Sequence, residues 1–494
     1  MKKATHCSAL LIKKLLPLAL AISFLAGCNL SRSDKSETDF TTVAQTEAQT
    51  EAQTQLQPGQ WLNGVSLSEY SIVYAEGDAD YTFRAAKYIQ SEIFERTGLQ
   101  LPVQADYKRS TSEYEIVVGD TQRQISKDLD ADTQNLQFAI TADETDIAME
   151  GDYFIIAAAA YFFVETYIPD AIFESTVPQK VTIHEPIVKE AKNYIILIGD
   201  GMGFNQTALF EKYPDQTSKT RKYSDQENLF YGYYFPNQGE ARTNSLSGVT
   251  DSAAGGTALA TGYKTINKYV GKNESGENVQ SLTELASSLN KATAVMSTDL
   301  FTGATPASFT AHTIHRDNSD SILAYQEKLT KEQGTLISCE HNDYDSDGVE
   351  ALESELTRIL TELEKNENGF FMMYEEGHID KHCHDNNIEK TFQALVRFNQ
   401  VIGRVMEHAF YNPDTFVLIT ADHETGGLQK SEKDGFYYTS GDHSGVNVPV
   451  FAYGWNAELF NERAVENTQI PKTIARMMGV ADFGDNDGFN SLIK

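Results

Sequence analysis

The sequence predicts an α/β protein, a three-layer sandwich around a mostly parallel central sheet, with a smaller α/β domain ahead of it. Two observations carry that prediction. The first is a design that recurs from residue 193 onward. "NYIILIGDGMG", "ATAVMSTD", "GFFMMYEEG" and "FVLITADHETGG" are aliphatic runs that break into turns rich in Gly and acids. Runs that are apolar at every position read as strands buried on both faces, as in parallel sheets. The second is the helical stretches between them, "SLTELASSLN" and "EALESELTRILTELEKN" among them. Strands alternating with helices imply a sheet covered on both sides. "VPVFAYG" adds a further strand.

Taken in chain order, the first residues are not part of the fold. Lys2, Lys3, Lys13 and Lys14 precede "LLPLALAISFLAGC", an apolar stretch too short to span a bilayer as a stable helix. Residues 1–27 therefore read as a secretory signal. Leu25-Ala26-Gly27-Cys28 resembles a bacterial lipoprotein lipobox, which implies cleavage before Cys28, a lipid on its sulfur and attachment to the cell envelope. Residues 28–60, with "TEAQTEAQTQLQPGQ", bury too little apolar surface to offset ordering entropy and read as a tether.

Residues 61–188 read as a small α/β domain. "YSIVYA" and "YEIVVGD" are strands, "ADYTFRAAKYIQSEIFERTG" is a helix with a Gly stop, "QFAITADETDIAME" is a hairpin, and "YFIIAAAAYFFVETYI" is a buried helix. The pattern is similar to the accessory domain that precedes several glycoside hydrolase catalytic domains. It carries no catalytic constellation, so a structural role, or docking to glycans or a surface, is expected. Residues 189–494, with the recurring buried strands, are expected to form a second, larger domain. Cys339 and Cys383 are the cysteines left outside the export segment, and the sequence leaves their pairing open.

The charge balance limits the function. The chain has 71 Asp and Glu against 40 Lys and Arg, a net charge of −31. The basic footprint of a general nucleic-acid binder is missing. Such a surface also repels anions, and metal cations at a site would offset that repulsion.

"GVTDSAAGGTALATG" sets Asp251 and Ser252 in a run of small residues that can open a helix. Small residues allow close packing and Asp is a good N-cap. A helix N-terminus also favours an anionic ligand beside Ser252. In parallel sheets ligands bind beyond the carboxyl ends of the strands. The acids, hydroxyls and histidines at those ends, or shortly after them, are Asp200, Thr305, Glu376, Asp380, His384, Asp422, His423 and His443. In "EEGHIDKHCHD" Glu376, Asp380 and His384 fall at i, i+4 and i+8, so that in a helix Glu376 shares a face with Asp380, and Asp380 with His384. Carboxylate and imidazole together suit zinc, and an all-oxygen set suits magnesium.

The segments "IGDGMG", "TDSAAGGTALATG", "GATPASFTAHTIHR", "EEGHIDKHCH", "TADHETGG" and "DHSGVNVPVFAYG" resemble, in order, those of the alkaline phosphatase family, over residues 193–494. The resemblance implies a phosphomonoester hydrolase with Ser252 as the nucleophile of a phosphoserine intermediate. It implies one zinc ion on Asp380, His384 and His443, and a second on Asp200, Asp422 and His423. It further implies magnesium on Asp200, Thr305 and Glu376, phosphate gripped by Arg316, and Lys381 as a secondary phosphate ligand. The chemistry agrees: a bound cation makes a serine alkoxide accessible, and the guanidinium fork matches two phosphate oxygens.

There are departures. Gly303 stands where many relatives carry Asp or His, and the family's usual insertions are missing, which leaves its homodimer an open expectation. "DYDSDG" starts like an EF-hand loop, but its twelfth position is Ser354, so an acidic loop is expected there. Cys383 is expected to pack and not to ligate. A sulfatase would need Pro and Arg after its nucleophile, and Ser252-Ala253-Ala254-Gly255-Gly256 has neither. A phosphodiesterase would carry a Thr nucleophile without the magnesium set. A binding protein with a decayed site would have lost ligands, and every position is filled.

Overall fold

The computed structural model describes residues 59–76, 80–110, 112–129, 133–211, 229–339, 349–433 and 435–493. The export signal, Cys28, nearly all of the tether and the "DYDSDG" segment lie outside them. No described helix is long and apolar enough to cross a membrane.

Eight strands make the main sheet. In spatial order they are Leu336–Cys339, Ala292–Ser297, Phe370–Glu376, Asn193–Gly199, Thr415–Thr420, Val448–Tyr453, Asn237–Arg242 and Ala464–Glu466. The first five are mutually parallel, and Val448–Tyr453 runs antiparallel to both of its neighbours. Every residue of Asn193–Gly199, Phe370–Glu376 and Thr415–Thr420 is buried, as strands covered on both faces require. One cover is the helix Ile388–Tyr411, which buries Phe392, Leu395, Phe398, Ile402, Val405 and Ala409 at helical spacing. The helices Ser252–Thr261, Leu282–Ser288 and Ala304–Thr310 pack together, the last two against strands of the same sheet.

The chain ahead of this sheet builds a six-stranded one, ordered Val103–Ala105, Tyr70–Tyr74, Tyr114–Val118, Ile147–Glu150, Phe138–Ala142 and Thr182–His184. Its helix Tyr81–Thr97 ends at Gly98, which takes the left-handed conformation that closes a helix without a side-chain penalty. The buried helix Ile156–Tyr167 packs against Ile388–Tyr411, so apolar residues of both sheets belong to one continuous core.

Because the central strands share one direction, their carboxyl ends share one rim. Asp200 follows Gly199, Asp299 follows Ser297 and Thr298, Glu375 and Glu376 end their strand, and Asp422-His423 follow Thr420. The fold thus gathers acids from four strands at one edge.

Candidate active site and metal centre

Ser252 is the first residue of the helix Ser252–Thr261 and is buried. Asp251 caps that helix: its Oδ1 accepts from the backbone N–H of Ala254 at 3.0 Å. Ser252 Oγ lies 3.2 Å from His423 Nε2. The small residues bring the helix onto the strand-end turn. A Cβ on Gly255 would lie 2.8 Å from the backbone oxygen of Asp422, so no larger residue fits there. Arg316 Nη1 stands 3.7 Å from Asp251 Oδ2, which places the guanidinium beside the cap of the helix that Ser252 opens.

Around Ser252 the rim gathers two three-residue clusters, Asp380-His384-His443 and Asp200-Asp422-His423. In each, one potential ligand atom per residue lies within 4.8 Å of the others. His384 Nε2 is 3.1 Å from His443 Nε2, and the rings of His423 and His443 stack at 3.7 Å. Burial, then the charges of Asp422, Asp380 and Glu375, push Asp200 well above the usual carboxylate range. Its Oδ1 is buried without a hydrogen bond among the described residues. Burial also works against ionised Asp380, yet the bond to His384 and the charges of His423 and His384 hold it below the ordinary range. The Asp380 bond lifts His384 to about 9, a proton that a metal ion would displace. Crowded acids with imidazoles at this spacing are a donor set that a divalent cation fits, and nitrogen plus oxygen is the zinc type.

Glu376, expected in the magnesium set with Asp200 and Thr305, is engaged elsewhere. Glu376 was expected on a helical face with Asp380, but it is the last residue of the strand Phe370–Glu376, and the helix begins at His378. Its Oε1 accepts from Arg397 Nη2 at 3.1 Å and from Thr298 Oγ1 at 3.1 Å. Side chains alternate along a strand, so the preceding residue faces the other way. Glu375 hydrogen-bonds Thr305 and Ser297 and feels the charges of Asp299 and Asp422. Burial, then Asp299, raises it to about 8. Thr305 Oγ1 lies 3.5 Å from Asp422 Oδ2 and bonds Glu375, whose charge is also felt at Asp200, so Glu375 and not Glu376 is the glutamate turned to these oxygens.

Lys381 reaches Asp299 Oδ1 at 2.5 Å, an acid that the sequence pattern did not single out although it follows a strand end. A Cβ on Gly303 would lie 2.8 Å from Asp299 Oδ2, so the glycine leaves room for that carboxylate. Cys339 and Cys383 are free and buried. Tyr438 Oη lies 3.3 Å from Cys383 Sγ, and burial pushes that thiol up to about 12. Cys383 packs, as expected.

The model of the alkaline phosphatase family matches residues 191–343 and 341–441, together more than half of the chain. The chain belongs to the alkaline phosphatase family. It is therefore an enzyme of the phosphomonoester hydrolase class. Alkaline phosphatase 3 of Bacillus subtilis is 26% identical over 336 residues, 58% of this chain and 71% of that protein. Alkaline phosphatase of Escherichia coli is 24% identical over 390 residues, 54% of this chain and 82% of that one. The solved alkaline phosphatase of the Antarctic bacterium TAB5 superposes with a TM-score of 0.50 at 27% identity, over 59% of this chain and 99% of its own. The cold-active alkaline phosphatase of Shewanella sp. shares the fold with a TM-score of 0.52 at 22% identity, over 58% of this chain and 98% of its own.

Proposed function

We propose that this chain hydrolyses phosphate monoesters through a phosphoserine intermediate at Ser252, beside two zinc ions and one magnesium ion. The observation that carries the reading is the placement of Ser252 Oγ at a helix N-terminus, 3.2 Å from His423 of one cluster and on the same rim as the other. Asp380, His384 and His443 would hold one zinc, Asp200, Asp422 and His423 the second, and Asp200, Thr305 and Glu375 the magnesium. Bound there, the cations would lower the pKa of the serine hydroxyl and balance charge on the phosphate.

Ser252 Oγ attacks phosphorus, the bond to the ester oxygen breaks, and the alcohol leaves. Water then displaces Ser252 Oγ and releases inorganic phosphate. Arg316 holds two non-bridging oxygens through both reactions, which a lysine could not do with one point charge. Lys381, tied to Asp299, supplies a further positive charge at the rim. The lipobox-like Leu25-Ala26-Gly27-Cys28 supports a place for this activity outside the cytoplasm, on the cell envelope.

Hydrolysis of p-nitrophenyl phosphate at alkaline pH tests this. EDTA should abolish turnover, and zinc plus magnesium should restore it. Ser252→Ala should lower kcat by more than about a thousandfold. Full turnover by that variant would remove Ser252 as the nucleophile.

A further inference from the structure

The three histidines of the two clusters each have Nδ1 held by an oxygen. His384 Nδ1 lies 2.6 Å from the carbonyl of Gly441, and His443 Nδ1 lies 2.8 Å from the carbonyl of Thr250. A carbonyl only accepts, so in both rings Nδ1 carries a proton and Nε2 is the atom left to a metal ion, which at His384 would displace the proton shared with Asp380. His423 is different. Its Nδ1 lies 3.2 Å from Thr425 Oγ1, a hydroxyl able to donate or accept. The other neighbour of that hydroxyl decides which. Thr425 Oγ1 is 2.5 Å from Asp380 Oδ1, and a carboxylate oxygen accepts. The single hydroxyl proton goes to Asp380, which leaves the Thr425 oxygen to accept from Nδ1–H of His423.

We propose that Thr425 is a positioning residue whose hydroxyl sets the tautomer of His423 and joins the two clusters, linking Asp380 of one to His423 of the other. The bridge is built into the fold. Thr425 is fully buried, its backbone N–H donates to Gly201 O at 3.1 Å, and it sits opposite His443 in a two-stranded ribbon. Gly201 has φ +72°, and a Cβ there would lie 2.9 Å from both Thr425 Oγ1 and the Cα of Asp380. Only glycine takes that conformation freely and leaves the space. The chain therefore runs Asp380 Oδ1, Thr425 Oγ1–H, His423 Nδ1–H, with His423 Nε2 turned toward Ser252 Oγ at 3.2 Å and the carboxylates of Asp422 and Asp200 at 3.3 and 3.5 Å. Partners that orient a ligand in this way govern metal affinity as well as geometry.

The inference rests on reading the clusters as metal sites, and the experiment separates the two. The metal-free full chain is titrated with zinc alone against a chromophoric chelator, as wild type, Thr425→Val and Thr425→Ser. Valine keeps the shape and loses the hydroxyl, and serine keeps the hydroxyl. Both zinc steps should weaken about 10–100-fold in Thr425→Val and stay within about threefold in Thr425→Ser. Nitrogen NMR of histidine-labelled, metal-free protein reads the tautomer directly, with His423 assigned by the signal lost in His423→Asn. The expected result is a protonated Nδ1 and a bare Nε2 at His423 in wild type and Thr425→Ser, and a mixture in Thr425→Val. A proton on Nε2 of wild-type His423, or unchanged zinc affinity in Thr425→Val, would overturn the proposal. If wild type took up no zinc, the reading of the clusters would fail, while the tautomer would still be decided by NMR. If Thr425→Val did not fold, the wild-type spectrum would still decide.

Discussion

Glu375 and Glu376 are neighbours in sequence with opposite surroundings, and their variants should separate metal binding from stability. Glu376 is buried against Arg397, whose charge offsets a burial that works against the ionised acid and holds it below its usual range. Glu376→Gln leaves that guanidinium buried without its countercharge, a loss of about 3–5 kcal/mol. Glu375 instead stands among acids, so Glu375→Gln relieves repulsion and should leave the metal-free protein at least as stable. It should cost activity that added magnesium does not restore. Thermal melts of both stripped variants, beside assays with and without magnesium, check this pair. A melting loss in Glu375→Gln as large as in Glu376→Gln would contradict the assignment. The sequence could not show which glutamate faces the rim. "FFMMYEE" is apolar on both strand faces, so it carries no alternation from which to read the register. Asp200, Asp422 and His423 were legible because each follows an apolar run that ends in an unmistakable turn.

The helix Ser252–Thr261 was readable as an element from its cap and its small residues, but its reason for being small is tertiary. Gly255 lies against the backbone of Asp422, and Gly256 against Ser308. Gly255→Ala must push the helix off that turn. A shift of that kind should lower kcat by about a hundredfold, since misplacement of about 1 Å has that effect. Kinetics of the variant with wild-type zinc content would show it. An unchanged kcat would mean that the helix and turn adapt freely. Nearby, Glu284 Oε1 lies 3.0 Å from His312 Nε2 and ties the helix Leu282–Ser288 to the segment that leads to Arg316. Burial pulls His312 down but Glu284 raises it overall, and burial pushes Glu284 up but His312 lowers it overall. The pair stabilises fully above the unfolded carboxylate value of 4.5 and below the unfolded imidazole value of 6.5. Its contribution fades as pH rises through the raised imidazole value, or falls through the lowered carboxylate value. His312→Gln should therefore lower Tm more at about pH 6 than at about pH 9, and an equal loss at both would contradict the linkage. The polar strand Asn237–Arg242, paired on both sides near the end of the sheet, gave no such reading. "NQGEAR" has no apolar run, and its pairing depends on a partner more than 200 residues away.

The two sheets share one core through the helix Ile388–Tyr411. Arg84 Nε meets Glu407 at 2.8 Å, Arg404 bridges Glu407 and Glu353, and Tyr88 stacks on Tyr411 at 4.1 Å. Gly403 lies under the Tyr81 hydroxyl, where a Cβ would collide. Gly403→Ala should cost about 1–3 kcal/mol through overpacking. Calorimetry should show one transition shifted downward, and two separate transitions would mean that the sheets unfold independently. Composition and strand pattern told of two α/β regions, but the contacts that join them are long-range and leave no local signature in the chain. What the assembled molecule provides is a rim where Ser252 faces two clusters of acids and imidazoles, and one measurement tests the use proposed for it. Enzyme mixed with a phosphate monoester, quenched in acid and mapped by peptide mass spectrometry should carry phosphate on Ser252. Turnover with phosphate on another residue, or on none, would contradict the account.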